Sequence, residues 1–286
     1  MISSPGARPL GAHRADGDQP TVDDGAMSSV PTSDVNDGHV EVRVYAELND
    51  FVPPELRGAV MRRPFRPHQT VKDVIEAAGV PHTEVDLVLV NGEPVDFARR
   101  PRTGDRIAVY PVFETLDIGE INRLRPQPLR DVRFVVDVHL GRLARLLRLL
   151  GFDTRWSNDL DDETLAASAE SEHRVVLTRD HGLLKRRRVT HGLFVHAERP
   201  VEQAAEVVQR LDLAARLAPF TRCLRCGGEL APVGKADIID DLEPLTRRYF
   251  DEFQRCQGCG QIYWRGSHHA RLAQMVERVR AAAPLR

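Results

Sequence analysis

The chain has 286 residues, 42% of them hydrophobic and 29% charged, with a formal net charge of −2. That length suits two or three domains. No stretch approaches ~18 uninterrupted apolar residues, which excludes a membrane span, and no apolar core precedes a small-residue cleavage site near residue 1. Four cysteines in two pairs point to metal ligands in a reducing compartment rather than to a disulfide framework, so the expected location is cytoplasmic.

Residues 1–38 are rich in Gly, Pro, Ser and Asp and hold few large apolar side chains, the composition of a disordered tail. From His39 the pattern changes. Val40, Val42 and Val44 alternate with His39, Glu41 and Arg43, the period of a half-buried strand. Thr70 caps a predicted helix that Gly79 stops, with Pro81 beyond. Leu87 to Val95 reads as a hairpin closing on Asn91-Gly92, and a last strand runs from Arg106 to Phe113. One helix among several strands makes residues 39–116 a small α+β domain. This stretch resembles the β-grasp fold of the ubiquitin-like sulfur-carrier proteins, and Asn91-Gly92-Glu93-Pro94-Val95 matches their central hairpin. Those carriers end in a free Gly-Gly. Here the strand runs on into Glu114-Thr115-Leu116-Asp117, so the resemblance implies a docking module with a protein partner rather than sulfur transfer.

Residues 117–130, with Pro126 and Pro128, read as a linker. A βαβα pattern then spans 131–218, the mark of an α/β domain with a short parallel sheet. Val132 to Asp137 is an apolar strand of the buried type. His139 to Leu150 is helical: Leu140, Leu143, Leu146, Leu147 and Leu150 share one arc, Arg142, Arg145 and Arg148 the opposite one. Further strands are expected at Phe152–Ser157, Arg174–Asp180 and Leu193–His196, and helices at Asp162–Ser171 and Val201–Leu213.

In an open parallel sheet, ligands bind beyond the carboxyl ends of the strands. Asp137 and Asp180 each end a predicted strand, and Asp161, Asp162 and Glu163 open the helix that returns to the same edge. Carboxylates that converge repel unless a cation sits among them, and Mg²⁺ or Mn²⁺ is the natural occupant. Each acid also has a plainer reading. Asp161 is equally a helix cap, Glu163 a partner of the helix dipole, Asp180 a turn residue, and Asp137 the ion-pair partner of Arg179. The positive charge gathers at Arg142, Arg145 and Arg148 and again at Arg179, Lys185, Arg186, Arg187 and Arg188. Such a face suits a polyanion such as RNA, although a solvated helix surface has the same pattern.

Residues 219–286 hold Cys223-Leu-Arg-Cys226 and Cys256-Gln-Gly-Cys259, each pair followed by glycine. Two such knuckles supply four thiolates, a closed tetrahedral shell for a structural zinc, so a zinc ribbon with a C-terminal helix is expected. Tyr263, Trp264 and Arg265 follow, a mixture able either to stack on bases or to form the ribbon's small core.

Four segments carry a more specific resemblance. They are Asp137-Val-His-Leu-Gly-Arg-Leu-Ala-Arg-Leu-Leu-Arg-Leu-Leu-Gly-Phe-Asp-Thr, Asp161-Asp-Glu-Thr-Leu, Val176-Leu-Thr-Arg-Asp-His-Gly-Leu-Leu and the distal Cys-x-x-Cys-Gly-x-Ile-Tyr-Trp-x-Gly-Ser-His. In this order they resemble the Mut-7 C-terminal RNase family, a PIN-like nuclease with a zinc ribbon. The resemblance implies metal-dependent RNA cleavage, with Asp137 as the first-strand acid, Asp162 (or Asp161) as the helix-start acid and Asp180 as the Thr-x-Asp acid. A fourth acid of fuller PIN domains has no counterpart. The expected function is therefore an RNA endonuclease with catalytic Mg or Mn, acting on RNA such as tRNA or ribosome-associated RNA. The alternative is an RNA- or ribosome-binding adaptor with a degenerate site. A phosphatase is disfavoured because Asp137-Val-His139 is not an Asp-x-Asp pair, and an NTPase because no glycine-rich phosphate loop is present.

Overall fold

The computed structural model describes residues 38–111, Leu124 and residues 131–284. The tail expected over 1–38 falls outside these residues except for Gly38, as do nearly all of the linker at 117–130 and the Glu114–Asp117 extension.

The first sheet contains β1 (Gly38–Val44), β2 (Met61–Phe65), β3 (Leu87–Val90), β4 (Glu93–Pro94) and β5 (Arg106–Tyr110). Its order is β2-β1-β5-β3-β4, with β1 and β5 parallel at the centre and the other pairs antiparallel. One helix, α1 (Val71–Ala77), lays Val71, Val74 and Ile75 on it, and Val40, Val42 and Val44 face the same core. This is a β-grasp arrangement. Thr70 starts the helix through a reciprocal capping box with Asp73, and the hairpin turns at Asn91 and Gly92 with φ of 54° and 91°, as the Asn-Gly pair requires. Strand β2 escapes the sequence reading because Arg62, Arg63 and Pro64 break any alternation. Proline is tolerated there because β2 lies at the sheet edge.

The second sheet is wholly parallel. Its strands are β6 (Phe134–Val136), β7 (Thr154–Arg155), β8 (Val175–Thr178) and β9 (Gly192–Phe194), in the order β7-β6-β8-β9. The chain interleaves α2 (Gly141–Leu149), α3 (Asp162–Glu172), α4 (His181–Leu184) and α5 (Pro200–Arg210). Strands β6 and β8 are buried on both faces. Phe134, Val136, Val175 and Leu177 pack toward α2 and α5, and Val135 and Val176 toward α3 and α4. That two-sided burial explains the continuous apolar runs in these strands.

The third sheet is antiparallel: β10 (Leu230–Val233), β11 (Phe253–Cys256) and β12 (Ile262–Trp264), with α6 (Pro244–Tyr249) in the long connection. After it, α7 (His269–Ala282) returns to the parallel-sheet domain and buries Val276 and Val279 in that core. The cysteine-bearing sheet is thus held to the α/β domain from both of its ends.

A 3-10 turn, His82–Glu84, joins the β-grasp domain to the edge of the parallel sheet. Glu84, 1% exposed, accepts a short hydrogen bond from Phe194 N–H and pairs with Arg210 Nη2 at 2.6 Å. His82 Nε2 reaches Val189 O at 2.9 Å, and Lys185 Nζ donates to Glu76 O at 3.0 Å. An open edge strand invites wrong pairing, and this turn covers part of the β9 edge. Glu84→Ala would take the nearest carboxylate from the largely buried Arg210, leaving it Phe194 O at 3.2 Å and the more distant Glu206 at 3.9 Å. The expected cost is about 3–5 kcal/mol, read as a lower urea midpoint with the folded-state cores otherwise unchanged.

Candidate active site and four-cysteine centre

The carboxyl ends of β6 and β8 lie side by side, since Val136 pairs with Leu177. Asp137 follows β6 directly and is 9% exposed. Its Oδ1 accepts from His139 N–H at 3.1 Å, and its Oδ2 accepts from the Thr178 hydroxyl at 2.6 Å. That hydroxyl, fully buried, also accepts from Asp180 N–H at 3.0 Å. One threonine therefore ties the first acid to the backbone of the third, and the Thr-x-Asp spacing is what allows it. Asp180 is itself exposed, and its Oδ1 caps α4 by accepting from Gly182 N–H at 2.7 Å.

The helix-start acids divide in two. Asp161 is the cap of α3: hydrogen bonds from the Thr164 backbone N–H, at 2.7 Å, and the Thr164 side chain hold its carboxyl below the ordinary value. Asp162 is exposed, and its Oδ2 receives Arg186 Nη2 at 3.0 Å, while Glu163 receives Arg186 and Arg188. Exposed pairs of this kind hold side chains in place with little stabilisation. Among the described residues, no three carboxylates bring their oxygens within 4.8 Å of one another; the four cysteines do bring their sulfurs that close.

The basic residues expected to bind RNA are also sorted by the structure. Arg142 and Arg145 stand exposed on α2, and Arg179, also exposed, donates to Ala197 O at 3.3 Å rather than pairing with Asp137. Lys185 is spent on the β-grasp domain and Arg186 on Asp162. Arg148 overturns its assignment. It is 2% exposed and turned inward, because the apolar arc of α2 is wider than the leucine spacing suggests and the ribbon covers its last turn. Its guanidinium donates to Thr154 O (3.0 Å), Arg225 O (2.8 Å), Leu224 O (3.4 Å) and Trp156 O (3.4 Å).

Beside Asp180, the His181 ring packs edge-on to Phe194 at 4.4 Å and tilted against Phe51 of the β-grasp domain at 5.2 Å. Burial and the neighbouring Lys185 push its pKa down, which disfavours the charged ring. The parts played by His181, Thr178 and Arg148 are not legible in the sequence, because each depends on segments far apart in the chain.

In the four-cysteine centre, Sγ of Cys223 lies 3.6 Å from Cys259 and Sγ of Cys226 lies 3.4 Å from Cys256. Both are far beyond a bonded S–S of about 2.05 Å, and close to the ~3.8 Å edge expected when four Zn–S bonds of ~2.3 Å point to a tetrahedron. Gly227 and Gly260 adopt φ of 85° and 74°, turning each knuckle. The N–H groups of Gly228 and Gly258 point at Cys226 and Cys256 at 3.4 Å. Burial pushes the Cys223 thiol up, but hydrogen bonds from Tyr263 and the backbone outweigh it and bring it down to about 6. Burial and its neighbouring sulfurs push Cys226 up to about 12. Crowded sulfurs cannot all ionise alone, and a divalent cation removes that conflict. The donor set fits a structural zinc. His268 and Trp264 lie outside it, whereas Tyr263 donates into it, its hydroxyl 3.2 Å from Cys223 Sγ.

Residues 132–276, just over half of the chain, match the family of the Mut7-C RNAse domain. The chain belongs to that family. Residues 38–117 match the Mut7-C ubiquitin family, so the expected pairing of a ubiquitin-like domain with a Mut7-C nuclease domain holds. Two crystal structures of small archaeal modifier protein 1 from Haloferax volcanii are similar to the chain at 22% and 23% identity. Each covers 27% of this chain, with 99% and 97% of its own length and a TM-score of 0.22. Among curated proteins none matches. Membership in an RNase-domain family implies an RNA substrate, and among the described residues no helix is long and apolar enough to cross a membrane.

Proposed function

We propose that the chain is a divalent-metal-dependent RNA endonuclease whose working acids are Asp137, Asp162 and Asp180. The observation that carries this reading is the Thr178 hydroxyl. It fixes a nearly buried carboxylate at one strand end and the start of the Asp180 turn at the next. A charge beside an apolar core is costly to keep there without a task.

Carboxylate oxygens suit Mg²⁺ or Mn²⁺, and the acceptors left after internal bonding are the free lone pairs of Asp137 and Oδ2 of Asp180. When bound, such an ion supplies an acidified water and neutralises charge on a phosphodiester. The protein's part is positional. Thr178 orients Asp137, the α4 cap orients Asp180, and Arg186 holds Asp162 beside the rim while offsetting its charge. Arg142, Arg145 and Arg179 attract the RNA backbone, a contribution that weakens with salt.

A second reading, an RNA-binding adaptor, draws on other observations. Asp161 and Asp180 are engaged as caps, Asp162 is paired with Arg186, and no three carboxylates gather tightly among the described residues. A cleavage assay on mixed cellular RNA, with and without Mn²⁺ or Mg²⁺ and with Asp180→Asn alongside, separates the two. Metal-dependent products absent from the variant support the nuclease. Binding without products from zinc-loaded, folded wild type supports the adaptor.

A further inference from the structure

A buried arginine normally faces a carboxylate, because its charge is expensive to desolvate. Arg148 has no ion-pair partner among the described residues. All of its hydrogen bonds run to backbone carbonyls, and these belong to two separate structures. Two are in the first zinc knuckle, Leu224 O and Arg225 O, and two are at β7, Thr154 O within the strand and Trp156 O directly after it. The knuckle packs directly on it: a Cβ at Gly227 would lie 2.9 Å from Thr154 O and 3.2 Å from Arg148 Nε. A four-thiolate zinc centre carries net negative charge, which is what a buried guanidinium lacking a carboxylate needs nearby.

The second half of the chain of contacts leads to the acidic rim. Trp156 donates its indole N–H to Val138 O at 3.2 Å, and Val138 directly follows Asp137. Gly141, at the start of α2, has no room for a Cβ because the Trp156 ring fills that space. The Asp137–Leu140 turn is therefore held from outside by Trp156, and the Trp156 backbone is held by Arg148.

We infer that Arg148 is a positioning residue that couples the four-cysteine centre to the Asp137 turn, through Trp156. Loss of the metal releases Leu224 O and Arg225 O, the guanidinium loses its countercharge, and the β7 end and Trp156 loosen with it. The effect on cleavage rests on the nuclease reading above; the coupling itself does not.

Full-length protein in a Trp264→Phe background leaves Trp156 as the sole tryptophan, since the chain has two. In that protein, stripping zinc with a chelator is expected to shift the Trp156 emission. In Arg148→Met the shift is already present with zinc bound. Zinc affinity, measured by chelator competition, is expected to fall about 10–100-fold, the usual effect of removing an outer partner of a metal centre. Arg148→Lys, which keeps the charge but cannot span four carbonyls, should fall between, and it serves if the methionine variant does not fold. Trp156→Phe cuts only the last link: zinc affinity stays at the wild-type value while kcat for RNA drops and KM holds. Wild-type zinc affinity in both Arg148 variants, or Trp156 emission indifferent to zinc removal, would overturn the inference. If no protein cleaves RNA, the nuclease reading fails while the zinc and emission results still decide the coupling.

Discussion

Asp137→Asn is expected to reduce metal-dependent RNA cleavage at least ~100-fold while leaving the protein folded. Metal stabilisation of a phosphodiester transition state is worth several kcal/mol, and each 1.36 kcal/mol is tenfold in rate. Asparagine keeps the shape and one acceptor: its Oδ1 still receives His139 N–H, and its amide can donate to the Thr178 hydroxyl oxygen, at the cost of the acceptor that the hydroxyl proton had in Asp137 Oδ2. Removing a charge from a nearly buried position also lowers its desolvation cost. The two effects oppose each other, so the melting temperature should fall only modestly, and a large loss of activity in a protein still folded at the assay temperature assigns the loss to chemistry. Thr178→Val provides the contrast. It leaves Asp137 Oδ2 and Asp180 N–H without their buried partner, which costs about 1–3 kcal/mol for each unsatisfied group. That variant should lose stability and activity together. Full activity in Asp137→Asn would remove the acidic rim from the mechanism.

Removal of zinc is expected to have the largest effect on stability. The ribbon's own apolar core is small, chiefly Ile238, Leu242 and Phe253 with Val233, Phe250 and Ile262 at its margin. Structural zinc in small domains contributes on the order of 10 kcal/mol or more to folding. Chelation, or Cys256→Ser at the buried ligand, should therefore abolish amide-exchange protection across β10, β11 and β12. The β-grasp sheet has a separate core and should keep its protection. Binding requires thiolates, and in the metal-free centre burial and the neighbouring sulfurs hold Cys226 protonated up to about 12. Zinc uptake must then release protons, so its affinity falls as pH falls. Intact protection in β11 after complete zinc removal would show that the cysteines do not carry the ribbon.

Local rules were enough for much of this architecture. The alternation of Val40, Val42 and Val44, the Thr70–Asp73 cap, the Asn91-Gly92 turn and the buried runs of β6 and β8 each reflect contacts within a few residues or a simple in-out pattern. The four cysteines were legible for a related reason, since two knuckles of fixed spacing leave few other uses for their sulfurs. Strand β2 was not legible, because its place is set by pairing with β1 rather than by its own composition.

The acids show where the boundary lies. Sequence placed Asp137 and Asp180 at strand ends, a matter of counting along the chain. Only the tertiary structure decided that a threonine hydroxyl joins them, that Asp161 caps a helix and that Asp162 answers to Arg186. Arg148 marks the limit most clearly. On α2 it is one of three arginines at equal spacing, and nothing local distinguishes it from Arg142 or Arg145. Its burial follows from a ribbon some seventy-five residues downstream folding over the end of the helix, where its carbonyls meet the guanidinium. Periodicity fixes which way a side chain points. What it meets there is decided by packing between distant segments, and that information is not held in any one stretch of the chain.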